Sequence, residues 1–303
     1  MPNKPTVVCF GEILWDIFPE GQKAGGAPFN VSYNLHKQGI TSRMVSRVGT
    51  DALGDELLDL IQSWGVPTED IQRDEIHPTG TVLARIDEDN EAHYDIIQNV
   101  AWDHIGCTPA NEELIRNSAA FVYGSLSIRE EASRETLYRL LEVAPFKVFD
   151  INLRPPFYTP EVLEYLLGKA DMVKTNKAEL RAILEMFGEE YITEEGAIAF
   201  LEKRFKVSEV LLTKGSRGAV YYGHQNYYFC PAVPVTVQDT VGSGDSFLAG
   251  YLAERVRGGK MEAAMGNAAA MGAFITTKKG ACPEYTLEEF ETFKQKALLA
   301  PAI

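Results

Sequence analysis

The chain is 303 residues long, 45% of them hydrophobic, and carries a formal net charge of −14 at pH 7. That length and apolar content suit a large α/β core and exclude a disordered or minimal domain, while the acidic balance argues against non-specific binding to nucleic acid or an anionic membrane surface. No secretory apolar segment and no run long enough to span a bilayer occur, so the expectation is a soluble cytoplasmic protein.

Residues 6–11 are a β-branched run ending at Gly11, expected to be a buried and central strand. Residues 12–18 alternate imperfectly and read as a strand leaving the main sheet. Asp16 lies there among Trp15, Ile17 and Phe18, so it needs a polar partner, either a sugar hydroxyl or solvent. Gly25-Gly26-Ala27-Pro28-Phe29-Asn30 then opens a helix that ends at Gly39. Its small residues would let a ligand approach the backbone. Asn30, one turn in, is either a hydroxyl contact or an ordinary helix residue.

A strand over 42–48 and a helix over 51–64 follow, the latter with Leu53, Leu57, Leu58 and Ile61 on one face. Between 79 and 98 the texture changes to two strands, 80–86 and 92–97, around a turn at Asp87-Glu88-Asp89-Asn90. With the strand around Trp15 they would form a small antiparallel sheet, a lid over the glycine loop. Strands at 120–123, 147–151, 172–175 and 210–213 then alternate with helices at 131–143, 160–167, 177–186 and 194–205. The acidic stretch 188–195 reads as a solvated connection, 220–229 as a tyrosine-rich hairpin, and 261–277 and 287–298 as closing helices. The fold class is therefore α/β, a doubly wound, mainly parallel sheet flanked by helices, with a small β-sheet lid. Residues 1–303 form one domain in this reading, with lid strands inserted at about 12–26 and 79–99.

Chemistry concentrates at the ends of strands. Residues 231–237 read as a strand, Gly242-Ser243-Gly244 as a turn, and Phe247, Leu248, Tyr251 and Leu252 as a helix face. Such a helix start offers unpaired N–H groups and a positive dipole end to a phosphate. Asp245 in its first turn is either a cap or a base beside that phosphate. Arg154, in Asp150-Ile151-Asn152-Leu153-Arg154-Pro155-Pro156, could meet a phosphate with its planar fork of donors. Asn176 and Glu179, after Lys174, either hold a hydrated Mg²⁺ or form a capping box. Thr213-Lys214-Gly215-Ser216-Arg217-Gly218 suits a nucleotide edge or a plain turn. Cys9, Cys107, Cys230 and Cys282 form no Cys-x-x-Cys pair and read as core residues, which leaves oxygen-ligated Mg²⁺ as the metal to expect.

Together these residues resemble the ribokinase-like sugar kinases, the PfkB carbohydrate kinase family, over essentially the whole chain. Two family patterns are matched without a gap: Gly25-Gly26-Ala27-Pro28-Phe29-Asn30-Val31-Ser32, with Gly39 and Gly49 downstream, and Asp239-Thr240-Val241-Gly242-Ser243-Gly244-Asp245, with Ala249-Gly250. The resemblance implies Asp245 as catalytic base and the backbone of Gly242, Ser243 and Gly244 as an anion hole, with Arg154 or Lys174 offsetting phosphate charge. It implies Asp16, Gly25, Gly26 and Asn30 as sugar contacts, and Lys174, Asn176, Thr213, Gly215 and Gly218 along the nucleotide, with Asn267 at the adenine edge. Asn176 and Glu179 would organise Mg²⁺, directly or through water. Asp239, with carbonyls around 278–280, would lie beside a monovalent cation such as K⁺, although Glu284 stands where several members have a small hydroxyl residue.

ATP, Mg²⁺ and a sugar are thus the implied ligands, with no nucleic acid or membrane partner, and a lid that pairs with another copy to give a dimer. The Gly-Gly-Ala-Pro-Phe-Asn and Asp-x-Asn-x-Arg-Pro-Pro runs look most like fructokinases. The reaction implied is transfer of the ATP γ-phosphoryl to a primary hydroxyl of fructose, at carbon 6. Members acting on ribose, 2-keto-3-deoxygluconate or nucleosides keep the same turn. A silent regulatory homologue would be expected to lose Asp245 or its glycines, and both are present. Neither an early Gly-x-Gly-x-x-Gly nor a Walker loop occurs.

Overall fold

The computed structural model describes residues 5–19, 21–86, 92–223 and 226–299. Strand β1 (Thr6–Phe10) sets the architecture, because its residues alternate between two apolar clusters: Val7 and Cys9 pack into one, Val8 and Phe10 into the other. A strand buried on both faces belongs inside a parallel sheet covered by helices on each side. β2 (Leu14–Phe18) and β3 (Gly21–Gly25) leave that sheet, and α1 (Ala27–Lys37) returns to it. There follow β4 (Thr41–Gly49), α2 (Ala52–Ser63), β5 (Ile71–Asp74), and the lid strands β6 (Gly80–Ile86) and β7 (Ala92–Ile96). The turn read at 87–90 lies outside the described residues.

The alternation then runs α3 (Pro109–Arg116), β8 (Ala120–Gly124), α4 (Glu131–Leu141), β9 (Lys147–Asp150), α5 (Pro160–Lys169), β10 (Met172–Asn176), α6 (Lys177–Met186) and α7 (Glu194–Phe205). β11 (Glu209–Thr213), the hairpin strands β12 (Ala219–Gly223) and β13 (Asn226–Cys230), and helices α8 (Ser243–Val256), α9 (Met261–Thr276) and α10 (Leu287–Leu299) complete it.

The main sheet has the order β13-β12-β11-β10-β9-β8-β1-β4-β5. Its ladders are parallel except where β12 pairs with β11 and β13. α3 to α7 cover one face, through residues such as Leu137, Leu163 and Ile183, and α1, α2, α8, α9 and α10 cover the other, through Leu35, Ile61, Leu248 and Met271. The expected central place of β1 needs correcting: it is third from the β5 edge, because the chain adds six strands on one side of it and two on the other. It is nevertheless the switch point, with β8 on one flank and β4 on the other, where such sheets open a crevice at the carboxyl ends.

The lid is a four-stranded sheet, β3-β2-β6-β7. It is not wholly antiparallel as expected, since β2 and β6 pair in parallel from Leu14↔Gly80 to Ile17↔Leu83. The strand expected over 231–237 is also absent. Pro231 and Pro234 have no N–H to give a ladder, and the segment runs unpaired beside the crevice, which Ala232, Val233 and Val235 help to line. β3, β5 and α3 had no clear signal; β3 reads Gly-Gln-Lys-Ala-Gly, with no β-branched residue.

Candidate active site

The carboxyl ends of β1, β9, β10 and β11 open on a cleft of about 1190 Å³ that also touches the lid and the start of α8. Gly242 caps α8 with a φ of +72°. A Cβ there would stand 2.4 Å from the Ala281 Cβ, so both the backbone and its neighbour require glycine. The N–H groups of Gly242, Gly244 and Asp245 have no partner among the described residues, whereas that of Ser243 turns back to the Thr240 carbonyl at 3.2 Å. The row of free amides is therefore interrupted at Ser243, a correction to the unbroken run the sequence implied. Ser243 instead lines the cleft, its hydroxyl 3.5 Å from the Gly272 carbonyl.

Asp245 lines the cleft from the first turn of α8 and is 9% exposed. Its Oδ2 accepts from Asn30 Nδ2 at 2.8 Å. Asn30 is in turn held by the Cys282 thiol, which donates to its Oδ1 at 3.3 Å. Asn34, one turn further along α1, donates to Ser246 Oγ and the Ala281 carbonyl. Cys282 and Asn34 were not singled out by the sequence reading. They are small core groups whose role appears only when α1 lies against α8.

Across the turn stands Lys174, on β10, donating to both carboxylate oxygens of Asp150 at 2.9 and 2.8 Å. Its Nζ lies 3.0 Å from where a Gly244 Cβ would be, so the missing side chain makes room for an ammonium beside the amides. Burial pulls the Lys174 pKa down, but Asp150, Asp245 and Glu179 outweigh it and the net shift is upward. The site thus gathers a fixed positive charge, a helix N-terminus and free amides at one point, which is what a transferring phosphoryl group needs.

At the lid end Asp16 and Arg154 line the cleft. Burial pushes the Asp16 carboxyl up to about 6, against the pull of Lys23 and Arg154. Arg154 is exposed at the rim, its Nη1 donating to the Leu153 carbonyl at 3.1 Å. Gly26 lines the cleft, and at both Gly25 and Gly26 the place of a side chain is taken by the protein. A Cβ on Gly25 would fall 2.3 Å from Asp16 Oδ2, and one on Gly26 2.2 Å from the Glu12 carbonyl oxygen. Glu12 was missed. It is 2% exposed and lines the cleft, and the signal was available: a charged residue directly beyond the buried strand β1.

At the other end Thr213, Gly215 and Gly218 line the cleft. Gly218 has a φ of +90°, and a Cβ there would meet the Cys230 carbonyl at 2.1 Å. Asn176 and Glu179 form the capping box of α6: Asn176 Oδ1 accepts from the Ala178 and Glu179 N–H groups, and Glu179 Oε2 from the Asn176 N–H at 2.9 Å. Both still face the cleft, and Glu179 Oε1 has no hydrogen bond among the described residues. Asp239 pins two loops, accepting from the Val241 N–H at 3.0 Å and the Gly280 N–H at 2.8 Å. Asn267 is corrected. It is 3% exposed, is not among the cleft-lining residues, and its side chain is already engaged by Gln38, the Gly250 carbonyl and Lys294.

Comparison with known proteins fits this arrangement. Fructokinase-2 of Solanum lycopersicum is 29% identical over 307 residues, covering 91% of this chain and 92% of that one. A solved fructokinase with bound ATP from Xylella fastidiosa superposes with a TM-score of 0.84 at 24% identity, covering 97% and 99%. An aminoimidazole riboside kinase from Salmonella enterica, solved with its riboside and an ATP analogue, gives 0.80 at 22%, covering 95% and 99%. Residues 8–286 match the pfkB family carbohydrate kinase, a span that takes in both the glycine-opened helix α1 and the turn before α8, and the chain belongs to that family.

Proposed function

We propose that the protein is an ATP-dependent sugar kinase that phosphorylates a primary hydroxyl of a free ketohexose, converting fructose to fructose 6-phosphate. The observation that carries the reading is Asp245: a carboxylate on the cleft wall, in the first turn of a helix whose amides are unpaired, with Oδ2 held by Asn30. In this reading the sugar oxygen attacks the γ-phosphorus while its proton passes to Asp245, and the bond to the ADP oxygen breaks. The N–H groups of Gly242, Gly244 and Asp245 would stabilise the phosphoryl oxygens, with Lys174 and Arg154 offsetting charge. General-base help of this kind is worth roughly a hundredfold to ten-thousandfold in rate.

No three His, Cys, Asp or Glu side chains gather into a metal cage among the described residues, which suits a Mg²⁺ ion held mainly by phosphates and waters. Glu179 Oε1, without a hydrogen bond among the described residues, is a protein oxygen that could reach it, directly or through water. When bound, the ion would neutralise charge on the phosphates. A potassium ion beside Asp239, a dimer formed through the lid and a cytoplasmic location belong to the same reading. No helix among the described residues is long and apolar enough to cross a membrane.

Fructose is favoured by the fructokinase relatives. The likeness to a riboside kinase keeps a nucleoside or pentose acceptor as the second reading. ADP release, measured with Mg-ATP against fructose, glucose, ribose, 2-keto-3-deoxygluconate and a riboside, tests both. The expected result is the highest kcat/KM with fructose. Release that no sugar accelerates would overturn the kinase reading, and a clear preference for a riboside would replace the substrate.

A further inference from the structure

Glu12 follows Gly11 at the carboxyl end of β1, the strand at the switch point of the sheet. It is a cleft-lining residue that is almost wholly buried. Its Oε1 accepts from the Ala27 N–H, at the start of α1, at 3.3 Å. Its Oε2 is buried and has no hydrogen-bond partner among the described residues. A buried carboxyl oxygen without a partner is unfavourable, and one long contact to a helix start does not need a second oxygen. Gly26 leaves room for this side chain, since a Cβ there would lie 3.3 Å from the Glu12 Cγ. The arrangement parallels Asp16, whose carboxylate takes the space left by Gly25. Two consecutive glycines thus seat two consecutive acidic positions of the cleft wall.

We infer that Glu12 is a substrate-reading residue, whose unpartnered Oε2 pairs with one hydroxyl of the acceptor and makes the cleft select a polyhydroxylated ligand bearing that hydroxyl. The inference rests on the sugar-kinase reading and adds a specificity determinant to it. With Asp16 and Asp245, Glu12 gives the cleft three carboxyl groups on its wall. Burial raises the Glu12 carboxyl to about 7, against hydrogen bonds from the Glu12 and Ala27 backbone N–H groups and the pull of Arg154, so near neutral pH it can accept from a hydroxyl or donate to one.

The test combines Glu12→Met, which removes both oxygens, and Glu12→Gln, which keeps the shape and one acceptor, with a set of monodeoxy fructose analogues. Sugar binding is read by titration calorimetry, and KM for sugar and ATP by ADP release. Glu12→Met is expected to weaken fructose binding about tenfold to a hundredfold, leave the ATP KM within about twofold, and show no further loss with one particular analogue. Glu12→Gln is expected to recover part of that loss, and it carries the same comparison if the Met variant does not fold. A purely structural role, loosening α1, would lower binding of fructose and every analogue by the same factor, and that result overturns the inference. So does unchanged fructose affinity in both variants. Wild-type protein that binds no sugar, with or without nucleotide, would instead sink the sugar-kinase reading itself.

Discussion

At the α8 end of the cleft the reactive groups are backbone amides fixed by glycines, and at the lid end they are side-chain carboxyls sunk beneath strands. Each glycine at the first end answers a contact: Gly242 lies against Ala281 and Gly244 against the Lys174 ammonium. The polarity of the amides is built into the chain direction and does not titrate, although Asp150, the partner of Lys174, is a buried carboxyl shifted upward. At the second end Gly25 and Gly26 make room for Asp16 and Glu12, whose carboxyls are raised to about 6 and about 7. Charge at that end depends on pH and on what fills the cleft. One end is preorganised for an anion whatever occupies it, while the other holds strained acids that a hydroxyl-rich ligand would relieve. The Asn30 to Asp245 hydrogen bond joins the two.

The sharpest way to break that division is at the joint. Asp245→Asn keeps a hydrogen-bonding group near Asn30 but removes the proton acceptor, so kcat is expected to fall by about a hundredfold to ten-thousandfold with sugar binding retained. Steady-state kinetics beside calorimetry would show it, and near-normal turnover would place the base elsewhere. Next in size is Lys174→Met, which strands Asp150 in the core. Removing one partner of a buried pair destabilises by about 3–5 kcal/mol, so urea unfolding should show a loss of that order. The double variant with Asp150→Asn should recover much of it. If Lys174→Met unfolds like the wild type, the ammonium is not the charge that holds this end together.

The same division explains what the sequence made legible. The α8 turn could be read because its function lies in residue type: Gly242, Gly244 and Asp245 carry their meaning in local order. Alternating strands and helices with one apolar face were equally plain, as in α2 and α4 to α7. What escaped depends on contacts far apart in the chain. Asn267 looked like a ligand group and is used by Gln38, Gly250 and Lys294. Ser243 lies inside the motif, yet its N–H is taken by Thr240, a detail of turn geometry that no residue pattern reports. Residues 231–237 had the composition of a strand, but two prolines kept them out of the ladder. Glu12 carries a signal, a charge just beyond a buried strand, but its strand-like neighbours mask it, and its burial beside an open cleft is what makes it stand out.

The lid end can be sharpened by pH. The Glu12 carboxyl has an ordinary value of 4.5 and is raised to about 7 in the fold, so folding retains its proton over that interval. Stability from this group is complete below about pH 4.5 and is lost as pH rises through about 7, a change of about 3 kcal/mol. Glu12→Gln should therefore flatten the fall in Tm over that window without abolishing it, because Asp150, also shifted upward by burial, and Asp16, raised from 3.8 to about 6, contribute slopes of the same sign. Asp51 and Asp74, both shifted downward, act at lower pH and in the opposite sense. A Tm profile identical in wild type and variant would mean that Glu12 is not held as a buried acid.

The smallest effect is expected from Gly25→Ala. The added methyl would fall 2.3 Å from Asp16 Oδ2, but the atom it meets is the tip of a side chain and can swing away, unlike the backbone of Ala281 that faces Gly242. The fold should tolerate the change, with Tm nearly unmoved. If Asp16 reads a sugar hydroxyl as proposed, the displaced carboxylate would no longer meet it squarely, and a lost contact of about 1.4 kcal/mol is a tenfold rise in sugar KM. ATP KM and kcat should hardly change, since the amides of the α8 turn are untouched. If kcat falls as far as sugar affinity does, the two ends of the cleft are not separable, and Asp16 is coupled to the chemistry through Asp245 rather than confined to recognition.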